Sequence, residues 1–344
     1  DMLHSHRMVV AEGGDGVVCA VYDGHYGPRA SEFCRTSTKS MFAQAVAESK
    51  NRMPMQAIFA LLEEGWQEFA RVLVRRGDWS AAMEGSCALV AHVTPEKLVV
   101  GNLGDCRAVL VKRLPDGTLT TQQLTREHNA SNPDERARIQ REHPDEPDAV
   151  QYIQSSGSWY VKGTLQVSRA IGDLFLKDPE FHGSLPAHVR PYVGGELKTP
   201  PYVSVSPEIV ERTLEPNDLF LVMASDGLWD EMTNQECLDA IRGLVRRNSN
   251  QPPPGPGEPG STVPTTGLGM ENWEFMKQWE GEEWNASCRL LWSALRQNPV
   301  ARRFGVDFLL NLEAGSSRRQ VHDDTSILVL WLQQEDSYKK GLKA

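Results

Sequence analysis

The order of the apolar runs constrains the fold of this chain more than any other feature. A β-branched run at residues 16–22 predicts a buried strand. The next two segments, at about 28–50 and 53–76, carry apolar residues at three- and four-residue steps, which is typical of amphipathic helices. Three strand-like runs follow as a meander, at residues 86–93, 97–104 and 106–113. Because helices do not alternate with strands, this order favours helices layered on antiparallel sheet over a doubly wound parallel sheet.

The second half of the chain contains long polar stretches. Residues 134–142 predict a helix, and residues 173–201 are rich in Pro, Gly and His, which indicates a surface excursion bordering a site. Residues 251–269 cannot pack as helix or strand because Pro and Gly dominate them. The apolar run at 326–332 lies beyond this segment. We therefore predict one domain over residues 1–344, interrupted by a disordered Pro/Gly-rich insertion at about 249–270.

Charge and cysteine content limit the partners and the compartment. The net charge of -10 argues against nucleic acid and anionic membranes as partners, because no excess of basic surface is available for phosphates. The six cysteines are scattered without a CxxC pair, which predicts reduced core cysteines in a reducing compartment, the cytoplasm or the nucleus. The chain begins at Asp1, which leaves organelle targeting open. We expect a monomer.

Aspartates stand at the ends of apolar runs. Asp23 follows the first strand-like run, Asp226 follows LFLVMAS, and Asp323 precedes SILVLWL, while Asp105 lies at a junction between two runs. Taken singly, each of these Asp-Gly or Gly-Asp pairs is more often a turn than a ligand. Together, carboxylates at strand ends predict a site for a hard cation, Mg²⁺ or Mn²⁺. Two such ions can hold a bridging hydroxide and clamp both ends of a displacement at phosphorus.

Six sequence blocks resemble, in order and over almost the whole chain, the metal-dependent Ser/Thr protein phosphatases of type 2C. The blocks are DGHYG (residues 23–27), GSCA (85–88), GDCRA (104–108), KGTLQVSRAIGD (162–173), SDGLWD (225–230) and DDTS (323–326). Residues 127–135, 142–147 and 161–177 are most similar to the pyruvate-dehydrogenase-phosphatase-like branch, especially its plant members.

The resemblance implies an α+β fold, a four-layer αβ–βα sandwich of two antiparallel β-sheets flanked by antiparallel helices. It implies a Mg²⁺- or Mn²⁺-dependent phosphatase that hydrolyses phosphoserine and phosphothreonine in protein substrates, by direct attack of the hydroxide that bridges the metals. Two ions, with a weaker third, would be the cofactors.

The resemblance also assigns the metal ligands. Asp23 would bridge two ions, and the Gly24 carbonyl would bind one of them. Asp226 and Asp323 would complete the shell of the first ion, and Asp105 with Asp226 would hold the third. Asp1 falls where the family has an Asp that contacts metal-bound waters. The phosphate-binding Arg of the family and the Glu that precedes this Asp would lie before Asp1.

Other residues of the blocks keep two interpretations. His25 resembles the general acid proposed for the family, but a His beside carboxylates can also be a hydrogen-bonding neighbour of the ligands. Arg169 and Asp173 fit a catalytic role or a buried ion pair that shapes the core. The aromatic residues Trp66, Phe69 and Trp159 predict packing. Cys87 stands where the family usually has Thr.

Two rival functions remain from the sequence. The first is a catalytically weak pseudophosphatase, a scaffold that binds a signalling partner, but such proteins typically lose the metal aspartates that this chain keeps. The second is another two-metal phosphoester hydrolase such as a nuclease, which would need a basic groove that the acidic balance does not suggest.

Overall fold

A computed structural model describes residues 5–13, 16–48, 54–247, 286–306, 309, 321 and 323–332. Asp1 and the predicted insertion at about 249–270 lie outside these described residues. Within them, no helix has the length and apolar character that crossing a membrane would require. The described residues divide into two compact units: a larger unit within residues 2–108 and 124–213, and a smaller unit within residues 109–123 and 214–344.

The strands of the larger unit are β1 (Ser5–Gly13), β2 (Gly16–His25), β3 (Gly85–Val93), β4 (Lys97–Leu103), β7 (Val150–Ile153), β8 (Ser158–Val161), β9 (Ile171–Gly172) and β10 (Glu208–Thr213). They form an antiparallel sheet in the order β1-β2-β3-β4-β10, with β9 paired to β3. Strands β7 and β8 form a separate hairpin. The helices are α1 (Arg29–Glu48), α2 (Met55–Arg75), α3 (Pro133–Glu142) and α4 (Pro179–Ser184), with short 3₁₀ segments at Trp79–Ala82, Leu174–Leu176 and Arg190–Tyr192.

Helices α1 and α2 pack against each other and against the sheet, α1 on β1 to β3 and α2 on β4 and β9. Their positions confirm the two predicted amphipathic helices. The apolar stripe of α2 is only partly buried, however: Trp66 is fully buried, whereas the Phe69 side chain is 44% exposed. The Phe69 ring nevertheless packs against the rings of Phe33 and Trp66, with centroids 6.1 Å and 5.8 Å apart. The predicted packing role is therefore confirmed, although the side chain is not fully buried. Trp159 is half-buried, and the guanidinium of Arg136 lies 4.6 Å from its ring.

Strand β2 continues further than the sequence suggested. Asp23, Gly24 and His25 pair with Cys87, Ser86 and Gly85 of β3. A simple Asp-Gly turn at residues 23–24 is therefore ruled out, because these residues belong to the antiparallel ladder. The extension buries the polar end of the strand, where Asp23 is 5% exposed and His25 is 7% exposed.

The smaller unit has a four-stranded sheet in the order β12-β11-β5-β6. Its strands are β5 (Arg107–Arg113), β6 (Leu119–Gln123), β11 (Asp218–Ala224) and β12 (Ile327–Trp331), and its helices are α5 (Asp226–Trp229), α6 (Asn234–Arg247), α7 (Ala286–Gln297) and α8 (Pro299–Phe304). The apolar residues of β5, β11 and β12 form one core with α6 and α7.

The predicted three-strand meander was wrong for its third strand, β5. Strands β3 and β4 pair with each other, but β5 pairs with β6 and β11 in the other sheet. The chain leaves the larger unit's sheet at residues 104–106, the link that carries Asp105. Local strand propensity locates β4 and β5 in the sequence, but it does not indicate which sheet each strand joins.

Candidate metal centre and its surroundings

Two of the predicted ligands lie together in the larger unit. Asp23 is the third residue from the end of β2, and Asp105 lies in the link between β4 and β5. Each offers a carboxylate oxygen, and these oxygens lie within 4.8 Å of each other. Both residues are at least 91% buried, since Asp23 is 5% exposed and Asp105 is 9% exposed. Two buried carboxylates at this separation repel each other unless a proton or a cation compensates them.

The electrostatics of Asp105 show this repulsion. Burial, and then the charge of Asp23, raise the pKa of Asp105 from 3.8 to about 7, although a hydrogen bond from Cys87 opposes the rise. That bond runs from the Cys87 thiol to Asp105 Oδ1 over 3.2 Å. A divalent cation would stabilise the ionised pair, and a set of carboxylate oxygens is the donor chemistry that Mg²⁺ and Mn²⁺ prefer. The residues present therefore fit the implied metal.

His25 is tied to Asp173 of the segment after β9. The His25 Nε2 atom lies 2.8 Å from both carboxylate oxygens of Asp173, which is fully buried. A side chain at position 85 would collide with His25 Nε2 and Asp173 Oδ2, so the His25–Asp173 contact requires glycine at this position. Burial would lower the pKa of His25, but the Asp173 carboxylate, followed by Asp23 and Asp105, outweighs this effect and raises the pKa above 6.5.

Arg169 and Asp173 have different partners. Arg169 forms a two-pronged ion pair with Glu135 of α3, with Nη2 at 2.5 Å from Oε1 and Nε at 3.0 Å from Oε2. Of the two interpretations of Arg169, the structure supports an ion pair, and its partner is Glu135. Asp173 instead orients His25, which the sequence could not indicate.

The smaller unit carries Asp226 and Asp323. Asp226 follows β11 and begins the short helix α5, and Asp323 lies four residues before β12. Strands β11 and β12 pair antiparallel up to Ala224 and Ile327. Beyond this pair the Ser225 amide donates to the Ser326 carbonyl at 3.2 Å, and the Ser326 amide donates to Ser225 Oγ at 3.1 Å. Both aspartates therefore stand at the same end of one strand pair.

Sequence reasoning missed one buried acid close to the DGHYG block. Glu84, which is 3% exposed, accepts the Arg29 backbone amide at 2.7 Å and Arg29 Nε at 2.6 Å. Its side chain also fills the space that a side chain at Gly27 would need. Glu84 therefore fixes the turn between β2 and α1. An acidic residue directly before the GSCA block was the available signal.

Two further polar residues, Asn102 and His128, were also missed. Asn102 is an amide inside an otherwise apolar strand, and His128 lies in a polar stretch after β6. Both are buried, at 0% and 1% exposure, and both contact the Asp105 link. A polar residue inside an apolar run is a usable sequence signal, because its burial requires hydrogen-bond partners.

Comparison with known proteins gives a consistent family. The family model for protein phosphatase 2C matches residues 7–252. The "Probable protein phosphatase 2C 42" of Arabidopsis thaliana is 36% identical over 251 residues, which are 70% of this chain and 62% of the relative. The "Probable protein phosphatase 2C 78" of Oryza sativa subsp. japonica is 33% identical over 328 residues, which are 94% of this chain and 71% of the relative. The chain therefore spans 62% and 71% of the lengths of these two relatives.

Two solved structures are similar over nearly the full chain. The serine-threonine phosphatase 2C of Toxoplasma gondii has a TM-score of 0.52 and 16% identity, covering 96% of this chain and 99% of that one. A C. elegans sex determining protein has a TM-score of 0.55 and 17% identity, covering 98% of this chain and 65% of that one. At these identities the likeness shows the fold alone. It confirms the predicted α+β class of antiparallel sheets flanked by helices.

The matches carry the description protein phosphatase 2C without singling out the pyruvate-dehydrogenase-phosphatase-like branch, so that finer assignment stays a prediction. The family model covers residues 7–252, and the rice relative is 33% identical over 94% of the chain, which is enough to assign the family. The chain belongs to the protein phosphatase 2C family.

Proposed function

We propose that this chain is a Mg²⁺- or Mn²⁺-dependent protein phosphatase that hydrolyses phosphoserine and phosphothreonine. The observation that carries the proposal is the buried pair of Asp23 and Asp105, whose carboxylate oxygens lie within 4.8 Å of each other. Burial, followed by the charge of Asp23, raises the pKa of Asp105 to about 7. A pair of this kind is a candidate functional site because its ionised form depends on a bound cation. The family membership supplies the reaction class.

The proposed ligand set is the one that the resemblance implies. Asp23, with the Gly24 carbonyl, would supply ligands from β2, and Asp105 would supply one from the link after β4. Asp226 and Asp323, at the end of the β11–β12 pair, are the further ligands that the resemblance implies. Asp1 is proposed from the sequence resemblance alone, as the carboxylate that contacts metal-bound waters. When bound, two divalent ions, with a weaker third, would supply an activated water and positive charge for phosphate ester hydrolysis.

His25 is the proposed general acid for the leaving serine or threonine oxygen. Its imidazole is held in one orientation by Asp173 at 2.8 Å, and a fixed ring is what proton delivery to a defined oxygen requires. The burial of His25 and its place two residues after Asp23 in β2 support a position beside the proposed ions. His25 would therefore hold and move one proton, while Asp173 maintains the ring orientation.

The test is hydrolysis of a phosphothreonine peptide by the wild type, by Asp226→Asn and by Asp116→Asn, with Mn²⁺, with Mg²⁺ and with EDTA. Asp116 is an exposed carboxylate in the turn between β5 and β6, so it controls for the loss of one negative charge in the same unit. We expect metal-dependent turnover that falls at least about 100-fold in Asp226→Asn, the scale of losing a group that stabilises the transition state. Asp116→Asn should retain the wild-type rate.

A wild-type rate that EDTA leaves unchanged would refute the metal dependence. No turnover by the wild type under any metal condition, together with retained binding of a partner protein by Asp226→Asn, would favour the pseudophosphatase scaffold. Cleavage of plasmid DNA in place of the phosphopeptide would favour the nuclease class.

A further inference from the structure

The link that carries Asp105 has little regular structure of its own. It comprises Gly104, Asp105 and Cys106, between the end of β4 and the start of β5. Gly104 has φ +113, a conformation that glycine adopts at low cost, and a side chain at this position would collide with Cys87 Sγ. A carboxylate on such a link can act as a metal ligand of fixed geometry only if surrounding groups hold the backbone in place.

Asn102 holds the link from both sides of Asp105. Its Nδ2 lies 3.1 Å from the Gly104 carbonyl oxygen and 3.0 Å from the Cys106 carbonyl oxygen, the carbonyls on either side of the aspartate. The same nitrogen lies 2.8 Å from the carbonyl oxygen of Arg126. An amide has two N–H donors, so these three acceptors share them. A side chain with 0% exposure cannot exchange these contacts for water.

His128 holds the backbone of Gly104 by two bonds. Its own amide donates to the Gly104 carbonyl at 2.9 Å, and its Nδ1 accepts the Gly104 amide at 3.4 Å. The second bond requires an unprotonated Nδ1. Burial, followed by the charge of Arg169, lowers the pKa of His128 to about 3, which keeps the ring neutral. Nε2 faces Glu208 Oε2 at 3.7 Å, which is beyond hydrogen-bond distance, and it has no hydrogen-bond partner among the described residues. The hydrogen bond of the ring therefore goes to the Asp105 link.

We infer that Asn102 and His128 are positioning residues that fix the Asp105 link, and that they set the affinity of the chain for the divalent cation that Asp105 helps to bind. The inference rests on the proposed function, because it concerns the same metal site. Neither residue would touch the cation, because both act through the backbone on either side of the ligand. A displaced carboxylate would leave the other ligands in place and weaken this one site.

The test measures Mn²⁺ binding by the purified chain, from the free Mn²⁺ signal in electron paramagnetic resonance, independently of turnover. The variants are His128→Leu, which removes the ring acceptor, and His128→Asn, whose side-chain oxygen can replace Nδ1. Asn102→Asp removes the donors at nearly constant size. Thr125→Val is the matched control, since buried Thr125 accepts the Ala108 amide at 3.0 Å on β5, outside the Asp105 link.

We expect the Kd of the weakest Mn²⁺ site to rise at least tenfold, or about 1.4 kcal/mol, in His128→Leu and Asn102→Asp. In His128→Asn it should stay within about threefold of the wild type, and in Thr125→Val within about twofold. Melting temperatures in EDTA measure the structural cost of each change. An unchanged Kd in His128→Leu would overturn the inference. So would an equal loss of affinity in His128→Leu and Thr125→Val at equal melting temperatures.

The same preparations separate this inference from the proposed function. A wild type that binds Mn²⁺ but hydrolyses no phosphopeptide would overturn the proposed function alone, because the comparison between His128→Leu and His128→Asn still measures positioning. Metal-dependent hydrolysis with wild-type Mn²⁺ affinity in His128→Leu would overturn the positioning role alone. If Asn102→Asp does not fold, the two His128 variants still decide the question.

Discussion

Glu135 offers the most quantitative test of the structure. This residue of α3 is 4% exposed and accepts hydrogen bonds from Ser168 at 2.6 Å, from Arg169 at 2.5 Å and 3.0 Å, and from Arg138 at 2.9 Å. Burial would raise the pKa of Glu135, but the bonds from Arg169, Ser168 and Arg138 outweigh burial and lower it from 4.5 to about 2. The folded state therefore favours the ionised carboxylate strongly.

The magnitude follows from this difference in pKa. A pKa of about 2 in the folded chain against 4.5 in the unfolded chain corresponds to about 3 kcal/mol of the free energy of unfolding at pH 7. Because the folded value is the lower one, the contribution is complete above pH 4.5 and is lost as the pH falls towards 2. At pH 3.5 the same relation leaves about 2 kcal/mol.

The perturbation is Glu135→Gln, which keeps the size and removes the charge. Urea unfolding at pH 7 should show a loss of about 3 kcal/mol in the free energy of unfolding, and a smaller loss of about 2 kcal/mol at pH 3.5. The matched control is Glu142→Gln on the same helix. Glu142 also pairs with Arg138, at 2.7 Å, but its side chain is 49% exposed, so its removal should cost under about 1 kcal/mol.

Two results would refute this reasoning. One is a loss in Glu135→Gln no larger than that in Glu142→Gln at pH 7, which would mean that the buried network adds nothing beyond a surface ion pair. The other is a loss in Glu135→Gln that is the same at pH 7 and pH 3.5, which would mean that the ionised carboxylate is not the stabilising form.

Two further predictions use other contacts of the larger unit. Gly104→Ala should lower the melting temperature by several degrees more than Gly117→Ala in a thermal unfolding scan. Both glycines have positive φ, but only a side chain at position 104 would collide with a neighbour, and equal shifts in the two variants would contradict this collision. Glu146→Gln should speed hydrogen exchange of the Lys198 amide at least tenfold. That amide donates to the Tyr202 hydroxyl, and the hydroxyl in turn donates to Glu146 at 2.7 Å. An unchanged exchange rate would show that other contacts hold the hydroxyl.

The local part of the fold was predictable from the sequence. Helices α1, α2 and α3 and strands β2, β3, β4 and β12 lie where periodicity and apolar runs placed them. Such patterns are readable because the hydrogen bonds of a helix, and the alternation of a strand, depend on residues only a few positions apart. The acidic ends of the strands were visible for the same reason, since Asp23, Asp105, Asp226 and Asp323 interrupt apolar runs.

The choice of partners was made by the tertiary structure. Nothing local indicated that β5 would leave the sheet of β4, that His25 would meet Asp173 at a separation of 148 residues, or that Arg169 would pair with Glu135 and not with Asp173. These contacts depend on which surfaces bury against each other, a property of the folded chain as a whole. The sequence by itself determined the elements and the residue types available for chemistry. The tertiary structure decided which of them meet, because burial makes each polar group require a specific partner.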